Sequence, residues 1–472
     1  MYRGQHAGQS GDGKELCDLL VVFDDHVIIF SDKEIKYPSD VPIEVAWARW
    51  FRSAIERSAK QVYGAERWIK LFPDRLYLDR ACTQSFPVNL PGENSIKVHR
   101  IVVARGINGA ARSHFGGGSG SLMLDSTLVG RVAHAGEGST PFSIGQINPQ
   151  RGFIHVLDDA TLGVVLKTLD TTRDLTEYLT RKEKFLSSKR VWAAGEEELL
   201  AFYLRDVGED GWNDFVVPDG VDTVMIEEGH WEAFTMLPQR RRQLLADRPS
   251  YAWDDLVERF AQNVLGDTQY NSTSPSQPFE SEVVIRFLAR EPRTRRRLLS
   301  SLFLDLLQNV GDEPWKVRMV EETFLGDPLY VFMAWNRPQG LSYEAYRQVR
   351  HQTLLDYMHC AKVVRSQATD VVGVAVGLPG QDDNSEDLAY LDTRGWSQAN
   401  QAEAELLQEQ SGYLKELNRS VTQVKSYPDQ NETDFQEPSI PRIALNVKGR
   451  DRNQPCRCGS GRKFKKCCGR RI

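Results

Sequence analysis

Four of the chain's seven cysteines, Cys456, Cys458, Cys467 and Cys468, crowd its last seventeen residues in "CRCGSGRKFKKCCG". A piece this short cannot fold on a hydrophobic core of its own. Its pattern is Cys-x-Cys, eight residues, then Cys-Cys. Four soft thiolates can close a tetrahedral zinc shell, and the metal then takes the place of the core. Gly459 and Gly461 let the backbone turn back around the ion. A tight cluster in a chain whose start lacks a signal-peptide apolar run reads as metal ligands rather than disulfides. The scattered Cys17, Cys82 and Cys360 read as small buried hydrophobes.

For the rest of the chain, size and charge bound the answer. At 472 residues, a prior of about 150 per domain gives roughly three domains. A net charge of −6 excludes a global basic field, so nucleic-acid binding has to be local. No apolar run approaches the ~18 residues of a membrane span, and the reading is a cytoplasmic protein. Periodicity and composition divide the chain into an α/β domain (1–125), a mainly helical domain (126–320), a mixed α/β region (321–418), a polar linker (419–450) and the tail (451–472).

The amino-terminal part carries the second constellation. Residues 19–23 and 27–30 are strand-like and flank Asp24-Asp25-His26, a turn signal. A two-residue Asp24-Asp25 turn pairs Phe23 with His26, and hence Asp18 with Ser31. Side chains two apart share a strand face, so Ser31 and Lys33 lie together near Asp18. From Ile43 the apolar spacing changes to three- and four-residue steps, which predicts a long amphipathic helix towards Leu71. "IKVHRIVVA" (96–104) reads as another strand, 106–122 as a flexible loop, and 153–169 as the opening of a helical region.

This order resembles the core of the restriction-endonuclease-like superfamily, the PD-(D/E)xK nucleases. There an Asp begins one strand, an acid-x-Lys ends the next, a Glu often precedes them and an amphipathic helix follows. Glu15, Asp18, "FSDK" and the helix from Ile43 follow that order over about residues 10–105. The resemblance implies a Mg²⁺-dependent phosphodiester hydrolase, with Asp18 holding magnesium and Lys33 steadying the attacking hydroxide. Where the family has an acid, this chain has Ser31. Four alternatives stay open. Ser31 is a water-mediated ligand with Glu15 supplying charge; a bulge after Phe30 turns Asp32 inward; Glu34-Ile35-Lys36 is the motif; or the site only binds. Glu15, Asp18, Ser31, Asp32 and Lys33 are the candidate catalytic residues.

The tail resembles the SEC-C motif over about residues 453–469. The resemblance implies zinc on Cys456, Cys458, Cys467 and Cys468, and a small module that docks protein partners. Its basic residues, among them Arg457, Lys463 and Arg470, also suit nucleic acid or acidic lipid. No Gly-x-x-x-x-Gly-Lys-[Ser/Thr] loop is present, which excludes a P-loop motor.

Weaker signals read as structural. The arginines of "PQRRRQLLADR" and "REPRTRRRLLSSL" read as helix faces balanced by acids, and "FGGGSGS" as a flexible loop. His26, His99 and His155 share no metal-ligand spacing. The expectation is an α/β endonuclease-like domain, a mainly helical middle with a mixed α/β part, and a zinc tail. The expected function is cleavage of DNA, less so RNA, in defence against foreign nucleic acid by fold analogy. The alternative is a non-enzymatic adaptor with an inactive nuclease-like domain.

Overall fold

The computed structural model describes residues 1–4, 13–92, 94–265, 278–311, 313–321, 327–378, 386–422, 425–427 and 463. The chain is mixed α/β and falls into two compact units, 1–237 and 238–472.

In the first unit, β1 (Leu19–Phe23) and β2 (His26–Glu34) form an antiparallel hairpin. Its pairs run from Phe23↔His26 to Leu19↔Phe30, the register a two-residue turn requires. Asp24 takes the positive φ of 52° that such a turn needs. An unbroken helical run follows: α1 (Ile43–Phe51), one π-helical turn (Arg52–Glu56) and α2 (Arg57–Leu71). The chain re-enters the sheet as β3 (Lys97–Arg105), parallel to β2, with α3 (Asn108–Phe115) after it. The last strand is β4 (Ile154–Leu157), parallel to β3. The order across the sheet is β1-β2-β3-β4.

The helical run covers one sheet face because its apolar stripe is there to be buried. Trp47, Trp50, Phe51, Ile55 and Val62 pack with Val27, Ile29, Val102 and Val156 in one core. The buried indoles are satisfied: Trp47 Nε1 donates to the His134 carbonyl at 2.6 Å, and Trp50 Nε1 to that of Ile35 at 2.8 Å.

Three expectations change here. Residues 154–157 are a strand, followed by a helix at Thr161–Thr168. All four strand residues are buried, and an apolar run without alternation does not tell a parallel strand from a helix. The expected flexible loop at 106–122 contains α3, closed by Gly116 at φ 77°. The expected mainly helical middle also holds strands. A second four-stranded sheet joins Thr223–Ile226, Arg190–Ala193, Met123–Val129 and Ser143–Gln146, in that order.

The second unit is a four-stranded sheet ordered Trp315–Val320, Leu329–Trp335, Asp370–Gly377, Glu386–Asp392. Its central strands are parallel, and Tyr343–Val364 is the crossover helix between them. Tyr330, Phe332 and Val374 pack with Trp253 and Phe303, while Val331, Met333 and Ala375 pack with Leu354 and Met358. The arginines of 290–297 are engaged inside this unit, while Arg241 of the other arginine-rich segment is exposed. Arg293 and Arg296 both reach Asp254, at 2.9 and 2.6 Å, and Arg297 lies 3.4 Å from Asp247. Among the described residues no helix is long and apolar enough to cross a membrane. Cys17, Cys82 and Cys360 are buried, and none is in a disulfide.

Candidate functional site

The hairpin end brings Asp18 against β2. The Asp18 amide donates to the carbonyl of Phe30, the residue that pairs with Leu19, at 3.1 Å, so the hairpin ladder ends at Leu19 and Asp18 steps out of register. Its carboxylate Oδ2 accepts the Asp32 amide at 2.8 Å. Among the described residues Oδ1 has no partner, and the side chain is exposed.

Ser31 and Lys33 lie on the face that packs against the helical run. Ser31 is fully buried, and its hydroxyl donates to Gln61 Oε1 on α2 at 3.1 Å. Sequence reasoning passed over Gln61; its only signal was a polar side chain near the buried stripe of an amphipathic helix. Lys33 pairs in register with Ala104 and is half-buried. No acceptor binds its ammonium among the described residues.

Asp32 occupies the opposite face. The β2–β3 ladder runs without a break from His26↔Lys97 to Glu34↔Arg105, so there is no bulge after Phe30 to turn Asp32 inward. Arg105 grips the Asp32 carboxylate with two parallel bonds, from Nε at 2.8 Å and from a terminal nitrogen at 2.7 Å. This fork raises the guanidinium above its ordinary pKa. Glu15 lies in a separate small sheet, in a two-residue strand with Lys14 that pairs with Tyr2–Arg3. Glu34 is exposed at the strand end.

Thus Asp18 meets the Phe30 carbonyl and the Asp32 amide on either side of Ser31, Ser31 itself is buried against Gln61 with Lys33 on its face, and the Asp32 carboxylate is committed to Arg105. Among the described residues no group of three or more His, Cys, Asp or Glu could hold a metal ion. The four tail cysteines, Cys456, Cys458, Cys467 and Cys468, lie outside the described residues. The Gly-rich loop holds one of the chain's own carboxylates: the Ser119 amide donates to Glu228 Oε1 at 3.2 Å.

The SEC-C motif matches residues 452–470, a span that contains all four tail cysteines. No curated protein matches the chain. No solved structure matches it either. The chain therefore carries a segment similar to the SEC-C motif at its carboxyl-terminal end.

Proposed function

We propose that the amino-terminal unit cleaves phosphodiester bonds of nucleic acid, DNA before RNA, with a divalent metal, while the zinc tail docks a partner. The observation that carries this reading is the exposed Asp18 carboxylate held on the Asp32 amide at the hairpin end, with the half-buried Lys33 next along β2 and the helical run crossing over the sheet from β2 to β3. The donor set fits a metal that arrives with substrate rather than a resident one. Magnesium keeps several waters and is commonly held by one or two carboxylates plus substrate phosphate. Asp18, with Oδ1 open, would be that carboxylate. When bound, the ion would neutralise phosphate charge and lower the pKa of a water. Lys33 supplies a second positive charge on the face of Ser31. Ser31, held by Gln61, is neutral and orients no proton-accepting group. In the tail, Cys456, Cys458, Cys467 and Cys468 would hold one zinc.

The test is Mg²⁺- or Mn²⁺-dependent cleavage of plasmid, linear and single-stranded substrates. Asp18→Asn keeps the acceptor for the Asp32 amide and removes the charge. Lys33→Ala removes the cation. Each should slow cleavage on the order of 10²-fold, with unchanged melting. Asp32→Asn, on the other face, should leave the rate within about threefold. Equal rates for wild type and Asp18→Asn would sink the catalytic reading.

One observation favours a second reading. The neutral Ser31–Gln61 pair stands where an acid would be needed for a protein-built metal site. On that reading the domain binds without turnover and the chain is an adaptor. Wild-type protein that binds nucleic acid yet cuts no substrate with either metal would select it.

A further inference from the structure

The arginines of 290–297 that stand out in the sequence are engaged within the second unit, but a different set of cations is left open. On the run α1–π-turn–α2, the exposed positions include Arg49, Arg52, Arg57, Lys60, Arg67 and Lys70, and one acid, Glu44, at the first turn. The remaining acids of this run are engaged at its flanks. Glu56 takes Lys60 at 2.9 Å and Arg131 at 3.6 Å. Glu66 takes Lys70 at 2.8 Å and Arg100 at 2.5 Å. Among the described residues, Arg49, Arg52, Arg57 and Arg67 have no ion-pair or hydrogen-bond partner. An ordinary solvated helix face mixes both signs; this one is a row of unneutralised guanidiniums in a chain of net charge −6.

The geometry points to this helical run as a phosphate-tracking surface that lies along the backbone of a nucleic-acid duplex. Arg49 to Arg67 spans about 27 Å at ~1.5 Å per residue. That is about eight base steps of ~3.4 Å along the duplex axis, less than one turn, so the row meets phosphates of both strands across a groove. A membrane fits less well. The large exposed apolar side chains of this run, Val45 and Leu71, sit at its two ends, so no apolar face is offered to a bilayer. The inference rests on the reading that the partner is nucleic acid, and is independent of whether the hairpin site cleaves it.

Each phosphate neutralised steepens the fall of log K with log[salt] by about 0.9 on duplex DNA. The test uses the full chain, a duplex of random sequence and a salt titration. Arg49, Arg52, Arg57 and Arg67 are changed together to Gln, a good helix former, and in parallel to Lys. The Gln variant should lose about 3 to 4 units of slope, and the Lys variant should keep the wild-type slope within about one unit. If wild type binds duplex but the Gln variant keeps its slope, the surface is wrong and the nucleic-acid reading stands on the tail. If wild type binds no nucleic acid at low salt, both fall. If the substitutions abolish binding to phosphatidylserine vesicles but not to duplex, the partner assigned here is wrong.

Discussion

Three histidines form a row across the sheet of the first unit, one each from β2, β3 and β4. His26 Nδ1 and His99 Nε2 are 2.8 Å apart with stacked rings, and His155 lies next, its ring centre 6.4 Å from that of His99. His155 is fully buried, and among the described residues neither of its nitrogens has a hydrogen-bond partner. Burial holds all three rings below their ordinary pKa, His99 down to about 3. The groups facing them are mostly cations: Lys97 and Arg173 at His26, Lys97 and Arg100 at His99, Lys182 and Arg100 at His155. Asp25, 3.3 Å from His26, and Asp24 are the opposing acids beside the row. The sign follows from linkage. The unfolded chain takes up these protons near pH 6.5 and the folded chain resists them. The stability is therefore full above pH 6.5 and is lost as the pH falls towards 3. Each ring can contribute a slope of up to about 1.4 kcal/mol per pH unit. His155→Leu should flatten the fall in denaturant-measured stability between about pH 6.5 and 4.5 by roughly one such slope. Parallel pH curves for variant and wild type would show that this ring does not titrate on unfolding.

At the scale of elements, the exit of β3 is a tight turn close to the end of β2. Gly106 has φ 90°, and a Cβ there would stand 2.5 Å from the Ile35 carbonyl. Its amide donates to Asp159 at 2.7 Å, which ties the ends of β3 and β4. Gly106→Ala should cost on the order of 2 kcal/mol or more, since both the backbone region and the space reject a side chain. Gly64, mid-helix on α2, has φ in the ordinary region and open space around its Cβ position. Gly64→Ala should therefore stabilise by about 0.5 to 1 kcal/mol. Urea melts of the two variants should move in opposite directions; a common direction would contradict the packing described for this helix and turn.

Across the whole molecule, two compact units and a charged tail share one chain. Residues 452–472 hold eight of the 59 Lys and Arg and none of the 65 Asp and Glu, which leaves −14 on the remainder. The tail is thus the most basic stretch of an acidic protein, and its contacts should weaken with salt. Purified protein should carry about one zinc per chain, and Cys456→Ser with Cys458→Ser should abolish it. The melting of the two cores should be unchanged by this pair. Elemental analysis and calorimetry on the same samples read both outcomes. A body transition that shifts by more than about 2 °C would mean that the metal stabilises more than the tail.

Much of this was already written in local sequence. Two greasy runs around Asp24-Asp25 determine the hairpin register, because turn length sets which residues pair. The apolar steps from Ile43 determine the long helix and its buried face. The cysteine spacing marks the tail as similar to the SEC-C motif. What the sequence left open at position 31 was decided by strands far apart along the chain. Asp32 is held by Arg105, 73 residues away, once β3 lies beside β2. Ser31 meets Gln61, 30 residues away, once the helix crosses back over the sheet. The same strand order lines up His26, His99 and His155, which share no spacing in sequence. It also fell to packing to decide which arginines are engaged, since Asp254 and Asp247 draw in Arg293, Arg296 and Arg297 while the row on the first long helix stays open. The physical reason is common to all four cases. Turn geometry and helical periodicity act between neighbours in sequence, whereas parallel strands and crossovers join residues whose separation no local pattern encodes.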